Sequence, residues 1–131
     1  MTYLLDTHAL VWWVSGAVKL PASWRSVLRT VRADAPVWIA DITRWEIATL
    51  VRHGKLALAL PLRDWLDAAT AEPLVRTLEI TPAVAAEEAA LPPSFHKDPA
   101  DRLIVASARI LGATLITRDE RIRTAGVVPV I

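Results

Sequence analysis

Residues 2–14 read Thr-Tyr-Leu-Leu-Asp-Thr-His-Ala-Leu-Val-Trp-Trp-Val, TYLLDTHALVWWV in one-letter form. Thr2 to Leu5 has the length and apolar character of a short strand. Asp6 ends it, and Thr7 to Val14 reads as a helix. The same order recurs along the chain. Val37 to Ala40 reads as a strand ended by Asp41, and Asp41 to His53 as a helix with Gly54 as its stop. Thr114 to Thr117 reads as a strand, and Asp119 to Ala125 as a short helix. Pro21, Pro61 and Pro99 each open a helix, since proline suits the first helical turn. These run to about Ala33, to about Glu72 and to Leu111, the last stopped by Gly112. Leu74 to Ile80 is β-leaning, Pro82 to Leu91 is an alanine-rich helix, and Val127 to Val130 reads as a last strand. Alternating strands and helices imply the α/β class, with a parallel sheet covered by helices on both faces. In such sheets ligands bind outside the carboxyl ends of the strands.

At 131 residues the chain has the length of one domain and can bury a real core, and its 53% hydrophobic content fits a compact globule. No apolar run reaches the roughly 18–20 residues that span a bilayer. The N-terminus has no basic n-region or cleavage site of a signal peptide. There is no cysteine, which excludes disulfides, thiolate catalysis and cysteine-based zinc sites. The expectation is a soluble cytoplasmic protein with no membrane partner. The net charge of +1 supplies no overall pull toward polyanions. All basic residues except Lys19, Lys55 and Lys97 are arginine, whose planar fork suits phosphate, although a GC-rich genome gives the same bias. Six tryptophans are unusual in so short a chain. Trp12 and Trp13 fall in Ala9 to Val14, a stretch apolar all round and therefore either core or partner surface.

Four acids stand against apolar sequence near helix starts: Asp6, Glu46 in RWEIA, Asp101 in HKDPADRLIVASA and Asp119 in TLITRDERI. Each alone reads well as a cap. Asp6 or Thr7 can cap the first helix, Thr43 to Glu46 fits a capping box, and Asp119 can cap the helix it precedes. Together they are harder to explain as caps. Asp98 before Pro99 already serves as a cap and leaves Asp101 free. Asp41 can cap its own helix, which places Glu46 more than a turn inside, between Trp45 and Ile47. Several carboxylates converging on one sheet edge repel one another unless a cation sits between them. Oxygen donors of this kind suit Mg²⁺ or Mn²⁺.

The motifs LLDTHALVWW, WEIA followed by HGKL, HKDPADRLIVASA, and TLITRDERI with a Gly-Val ending resemble, in order and spacing, those of the PIN-domain ribonucleases, and within them the VapC-like toxins of bacterial toxin–antitoxin pairs. The resemblance runs nearly end to end. It implies a three-layer α/β/α sandwich with a parallel central sheet of order 3-2-1-4-5. It also implies that Asp6, Glu46, Asp101 and Asp119 hold one or two Mg²⁺ or Mn²⁺ ions. In that arrangement Asp6 and Asp119 ligate directly, Asp101 completes the site, and Glu46 ligates or orients the water. Thr7, Thr43 and Thr117 lie beside these acids as a supporting shell, and Asp98 is a fifth acid near them. Two departures stand out: Leu50 occupies a position where family members often carry a base, and Ala100 replaces a larger apolar residue.

The activity implied is metal-dependent endoribonuclease cleavage leaving 5′-phosphate and 3′-hydroxyl ends. His8, His53 and His96 are read as structural or solvent-facing, without the pairing that metal-free cleavage by general acid and base requires. Arg25, Arg29 and Arg32, spaced i, i+4, i+7 beside Trp24, Leu28 and Val31, form a candidate RNA-backbone stripe on a helix or a merely solvated face. Trp12, Trp13 and Trp65 are core candidates. The apolar helices also fit a homodimer interface or a groove for a cognate antitoxin, one of whose arginines can reach the acids. The rival reading is a non-catalytic RNA-binding or scaffold module on the same fold. A receiver domain is disfavoured by the lysine positions, and a P-loop is absent.

Overall fold

The computed structural model describes residues 1–17 and 20–131. Lys19, one of the lysines weighed above, lies outside them. Four described strands, β1 (Tyr3–Leu5), β2 (Val37–Ala40), β3 (Val75–Leu78) and β4 (Thr114–Ile116), form a parallel sheet of order β3-β2-β1-β4. Leu5 pairs with Ile39 and Ile116, whereas Leu4 pairs with Trp38 and Leu115. Side chains alternate across a strand, so these registers sort the apolar residues into two cores. Leu5, Val37, Ile39, Val75 and Ile116 face one side, and Leu4, Ala40 and Leu115 the other.

Helices cover both faces. The first core is closed by α1 (Thr7–Ser15), α2 (Ala22–Leu28), α3 (Ile42–Arg52) and α4 (Leu62–Ala69), through Leu10, Trp24, Leu28, Ile47 and Trp65. Trp24 is buried, and Trp12 stacks on it with ring centroids 5.8 Å apart. The second core is closed by α6 (Pro99–Leu111) and α7 (Glu120–Ala125), through Ile104, Val105, Ala108 and Ile122. Outside α6 lies α5 (Pro82–Ala89), clasped by two ion pairs, Arg102–Glu88 and Arg109–Glu87, each at 2.6 Å. Two of the described boundaries fall where the sequence puts them. Asp98 caps α6 ahead of Pro99, and Gly112 closes it at φ 62°, a left-handed conformation that glycine adopts without a Cβ penalty.

Three expectations need correction. The sheet shows four described strands, and the fifth position of the 3-2-1-4-5 order is reduced to a single parallel bridge, Leu115 to Val130. Pro129 lacks an N–H and cannot donate to a ladder. Its carbonyl accepts from Leu115 N at 2.9 Å, and Ile131 N donates to the Leu115 carbonyl at 3.0 Å, so the segment runs beside β4 without becoming a strand. The second helix ends at Leu28 and not near Ala33. The Thr30 hydroxyl donates to the Val27 carbonyl at 2.6 Å, and Arg32 and Ala35 close a tight turn. Arg32 therefore lies outside the helix, paired with Asp34 at 2.9 Å, and the three-arginine stripe does not form on one helix face. Lastly, Asp41 makes no side-chain cap for α3 and turns its carboxylate to Arg44 at 3.3 Å.

Leu115 is fully buried in the middle of β4. Leu115→Ala should lower unfolding stability by about 2–5 kcal/mol, the range for truncating a fully buried leucine. Urea denaturation measures this, and a loss under about 1 kcal/mol would contradict the packing described.

Candidate metal centre at the carboxyl edge of the sheet

β1 delivers Asp6 to the sheet edge, where its N–H donates to the Ile116 carbonyl at 3.1 Å. The side chain then splits its work. One oxygen, Oδ1, accepts from Ala9 N at 2.8 Å and caps α1, and the other accepts from the Thr117 hydroxyl. The Thr117 oxygen in turn accepts from Asp119 N at 3.0 Å, so one buried hydroxyl links two acids from the two ends of the chain. Asp119 caps α7 through Arg121 N and Ile122 N, at 2.8 and 3.2 Å.

Thr43 is buried inside the first turn of α3 rather than at its cap, so no capping box forms. Glu46, one turn on, accepts instead from the Thr7 hydroxyl. That uses the only Thr7 hydroxyl proton and leaves Thr43 to donate to the Thr7 oxygen, 3.1 Å away. On α6, Asp98 spends one oxygen on Ala100 N and Asp101 N, at 2.9 and 3.2 Å. Asp101 faces His96 Nε2 at 2.7 Å and Arg121 Nη2 at 3.5 Å.

Asp6, Thr7, Glu46, Asp98, Asp101 and Asp119 line one cleft of about 250 Å³, together with His8, Arg118 and Arg121. Thr43 and Thr117 stand buried behind it, each bonded to a lining residue. Glu46, Asp98 and Asp101 bring one carboxylate oxygen each within 4.8 Å of one another. Arg25, Arg29 and Arg32 are not in this lining. Capping and clustering are thus compatible, because a carboxylate has two oxygens and the cap uses only one. Sequence reasoning missed Arg118, Arg121, His8 and His96. The signal for His96 was its place five residues before Asp101 across a proline-started helix, where the loop folds back over the first turn.

The electrostatics are those of crowded like charges. Burial pushes Asp6 up from the ordinary carboxylate value, against the Thr117 and Ala9 hydrogen bonds, and Asp101 adds repulsion. Burial also raises Glu46, against the Thr7 hydrogen bond, and repulsion from Asp101 and Asp98 adds to the rise. Asp101 is raised by burial and by Asp98 and Asp119, against the His96 bond. Asp119 moves the other way. Burial raises it, but hydrogen bonds from Ile122 and Arg121 and the Arg121 charge outweigh that and hold it low. The donor set is all oxygen and anionic, which fits a hard divalent cation.

A larger groove of about 710 Å³ lies elsewhere, between α1 and α4 and the segments 57–60 and 71–75. Trp13, Val14, Leu58, Leu60, Trp65 and Leu74 line it, and Glu72 is its one acid. Trp65 is core, whereas Trp12 and Trp13 are half-buried, so α1 serves the core with one side and this groove with the other.

A parallel sheet with helices on both faces and an acid cleft at its carboxyl edge is the arrangement of a PIN domain, and the PIN-domain family model matches residues 3–128. The chain belongs to the PIN-domain family. It is 40% identical to Ribonuclease VapC22 of Mycobacterium tuberculosis over 123 residues, covering 94% of this chain and 91% of that protein. Among solved structures, VapBC-1 from nontypeable Haemophilus influenzae matches with a TM-score of 0.72 at 14% identity, over 100% of this chain and 97% of that one. A toxin–antitoxin complex from Klebsiella pneumoniae matches with a TM-score of 0.66 at 21% identity, over 99% and 96%.

The raised acids set a pH dependence for the metal-free chain. A carboxyl whose folded value is raised favours folding fully below its ordinary value, near pH 4, and loses that contribution as pH climbs through the raised folded value. Asp6→Asn, which keeps an oxygen for the Ala9 cap, should therefore melt about 3–6 °C above the parent at pH 7 in EDTA. The gap should close as pH falls toward 4. A lower melting point for Asp6→Asn at pH 7 would show that burial of the Asp6 charge is not the dominant cost.

Proposed function

We propose that this chain is a divalent-metal-dependent endoribonuclease, the toxin of a toxin–antitoxin pair, hydrolysing RNA to 5′-phosphate and 3′-hydroxyl ends. The observation that carries the reading is the convergence of five carboxylates from β1, α3, α6 and the β4–α7 junction on one cleft. Support for the substrate comes from the 40% identity to a ribonuclease. Support for the antitoxin comes from the fold shared with a toxin–antitoxin complex.

The residues that would hold Mg²⁺ or Mn²⁺, as one ion or two, are Asp6, Glu46, Asp98, Asp101 and Asp119. A bound divalent ion supplies an acidified water and offsets charge building on the phosphate. The chain's own groups do the rest. The Thr7 hydroxyl fixes Glu46 Oε1, which frees Oε2 to accept a hydrogen bond from the attacking water. Thr117 holds Asp6 and the Asp119 backbone in one frame, so two acids move as a unit. Arg118 and Arg121 at the rim meet phosphate oxygens, the role expected of guanidinium. Arg25 and Arg29 are exposed and remain a second candidate backbone contact, with Arg32 weaker for its Asp34 pair. The apolar groove beside α1 is the surface we assign to the antitoxin. Exposed Trp45, at 58%, and Ile80 lie outside that groove and leave room for a second copy as a homodimer. Action in the cytoplasm follows from an RNA substrate, and no described helix is long and apolar enough to cross a membrane.

Purified chain should cleave RNA with Mg²⁺ or Mn²⁺ and stop in EDTA, leaving 5′-phosphate and 3′-hydroxyl ends by end-group mapping. Asp6→Asn and Asp101→Asn should each lose about a hundredfold or more in rate, the scale for removing one electrostatic element of a transition state. Cyclic phosphate ends or full activity in EDTA would overturn the metal route. Equal inertness of parent and Asp6→Asn in Mg²⁺ and Mn²⁺ would favour the rival, a non-catalytic RNA-binding module. In filter binding of RNA to Asp6→Asn protein, adding Arg118→Gln should flatten the slope of log affinity against log salt by about 0.7, the single-strand value per phosphate contact. An unchanged slope would remove Arg118 from the interface.

A further inference from the structure

His96 belongs to the loop between α5 and α6, and the sequence alone reads it as structural or solvent-facing. Its ring is mostly buried, with 15% of the side chain exposed, and Nε2 lies 2.7 Å from Asp101 Oδ2. The loop is not free to place that ring anywhere. Phe95 is plugged into the second core at 4% exposure and lies against His96 with ring centroids 4.4 Å apart. Arg102, on the first turns of α6, donates to the Phe95 carbonyl at 3.3 Å and to the Glu88 carboxylate at 2.6 Å, with its guanidinium 5.9 Å from the Phe95 ring. Backbone, core contact and ion pair thus converge on one residue and aim its ring at one carboxylate oxygen.

We propose that His96 is a positioning residue for the acidic cleft: it donates Nε2–H to Asp101 Oδ2 and so presents Oδ1 to the bound cation. The inference rests on the metal reading above. Nε2–H is present in one neutral tautomer and in the imidazolium alike, so the role does not need a change of charge. Hydrogen-bond partners of ligating carboxylates fix their orientation, and losing one typically weakens metal binding about 10–100-fold. Without His96, the one partner left to Oδ2 among the described residues is the Arg121 guanidinium, 3.5 Å away on a side chain that is 62% exposed.

The test is Mn²⁺ affinity by isothermal titration calorimetry on the full chain, for the parent, H96F and H96Q, with RNA cleavage alongside. H96F keeps a ring beside Phe95 and removes the donor. H96Q places an amide N–H near the lost Nε2. H96F should bind Mn²⁺ about tenfold or more weakly, and H96Q should stay within about threefold of the parent, with KM for RNA unchanged in both at saturating Mn²⁺. Folded H96F that binds Mn²⁺ like the parent overturns the proposal. So does H96Q as weak as H96F, because the ring and not the hydrogen bond would then matter. If H96F does not fold, the parent still decides. Its His96 Nε2–H should be visible and slow to exchange in ¹H–¹⁵N spectra, and a signal lost to rapid exchange overturns the proposal. A parent chain that takes up no Mn²⁺ brings down the metal reading itself, a failure seen before any variant is made.

Discussion

The organising constraint of this protein is the removal of like charges from water at one edge of a parallel sheet. Asp6 is only 8% exposed, Glu46 and Asp101 are partly buried beside it, and the Asp101 charge raises the cost of ionising both Asp6 and Glu46. The chain meets that cost with hydroxyl groups rather than with a buried cationic side chain. Thr117 binds Asp6, Thr7 binds Glu46, and Thr43 stands behind Thr7. A hydroxyl stabilises a carboxylate without neutralising it, so the cleft keeps its negative field. The arginine nearest, Arg121, sits at the rim, 62% exposed, where its attraction is screened.

Two faces of the sheet divide the labour. Leu5, Ile39 and Ile116 bind α1, α3 and α4, of which α1 and α4 border the apolar groove, while Leu4 and Leu115 bind α6 and α7, which carry Asp101 and follow Asp119. The acid cleft lies where the two halves meet, and α1 and α3 reach it from one side and α6 from the other. Because Asp6 and Thr117 end adjacent parallel strands, any shift in the β1–β4 register would break the hydroxyl link between them.

Much of this was legible in the chain. Pro99 and Gly112 bound α6, and the boundaries of Val37–Ala40 follow from an apolar run between Pro36 and Asp41. Asp6 and Asp119 declare themselves by following apolar runs directly. What stayed hidden depends on tertiary contact. Pro129 abolishes a strand that Val127 to Val130 advertises, and Thr30 folds its hydroxyl onto Val27 where periodicity promises more helix. Thr43 looks like a cap because Glu46 follows at the right spacing, but α3 starts at Ile42, two residues earlier than a Thr43 cap requires, and turns both side chains inward. His96 stands near Asp101 in the sequence, but only the fold of the loop shows that its ring meets that carboxylate. Treating cap and cleft as alternatives was itself the error, as Asp6 does both with different oxygens.

The clasp between α5 and α6 has a consequence beyond packing. Glu87 and Glu88 are held by Arg109 and Arg102, and the same Arg102 grips the carbonyl of Phe95. Fraying of the outer helix would therefore slacken the 91–98 connection before the strands separate. Local opening on the periphery then reaches the acidic edge through one guanidinium, which ties an outer helix to the place where the carboxylates gather.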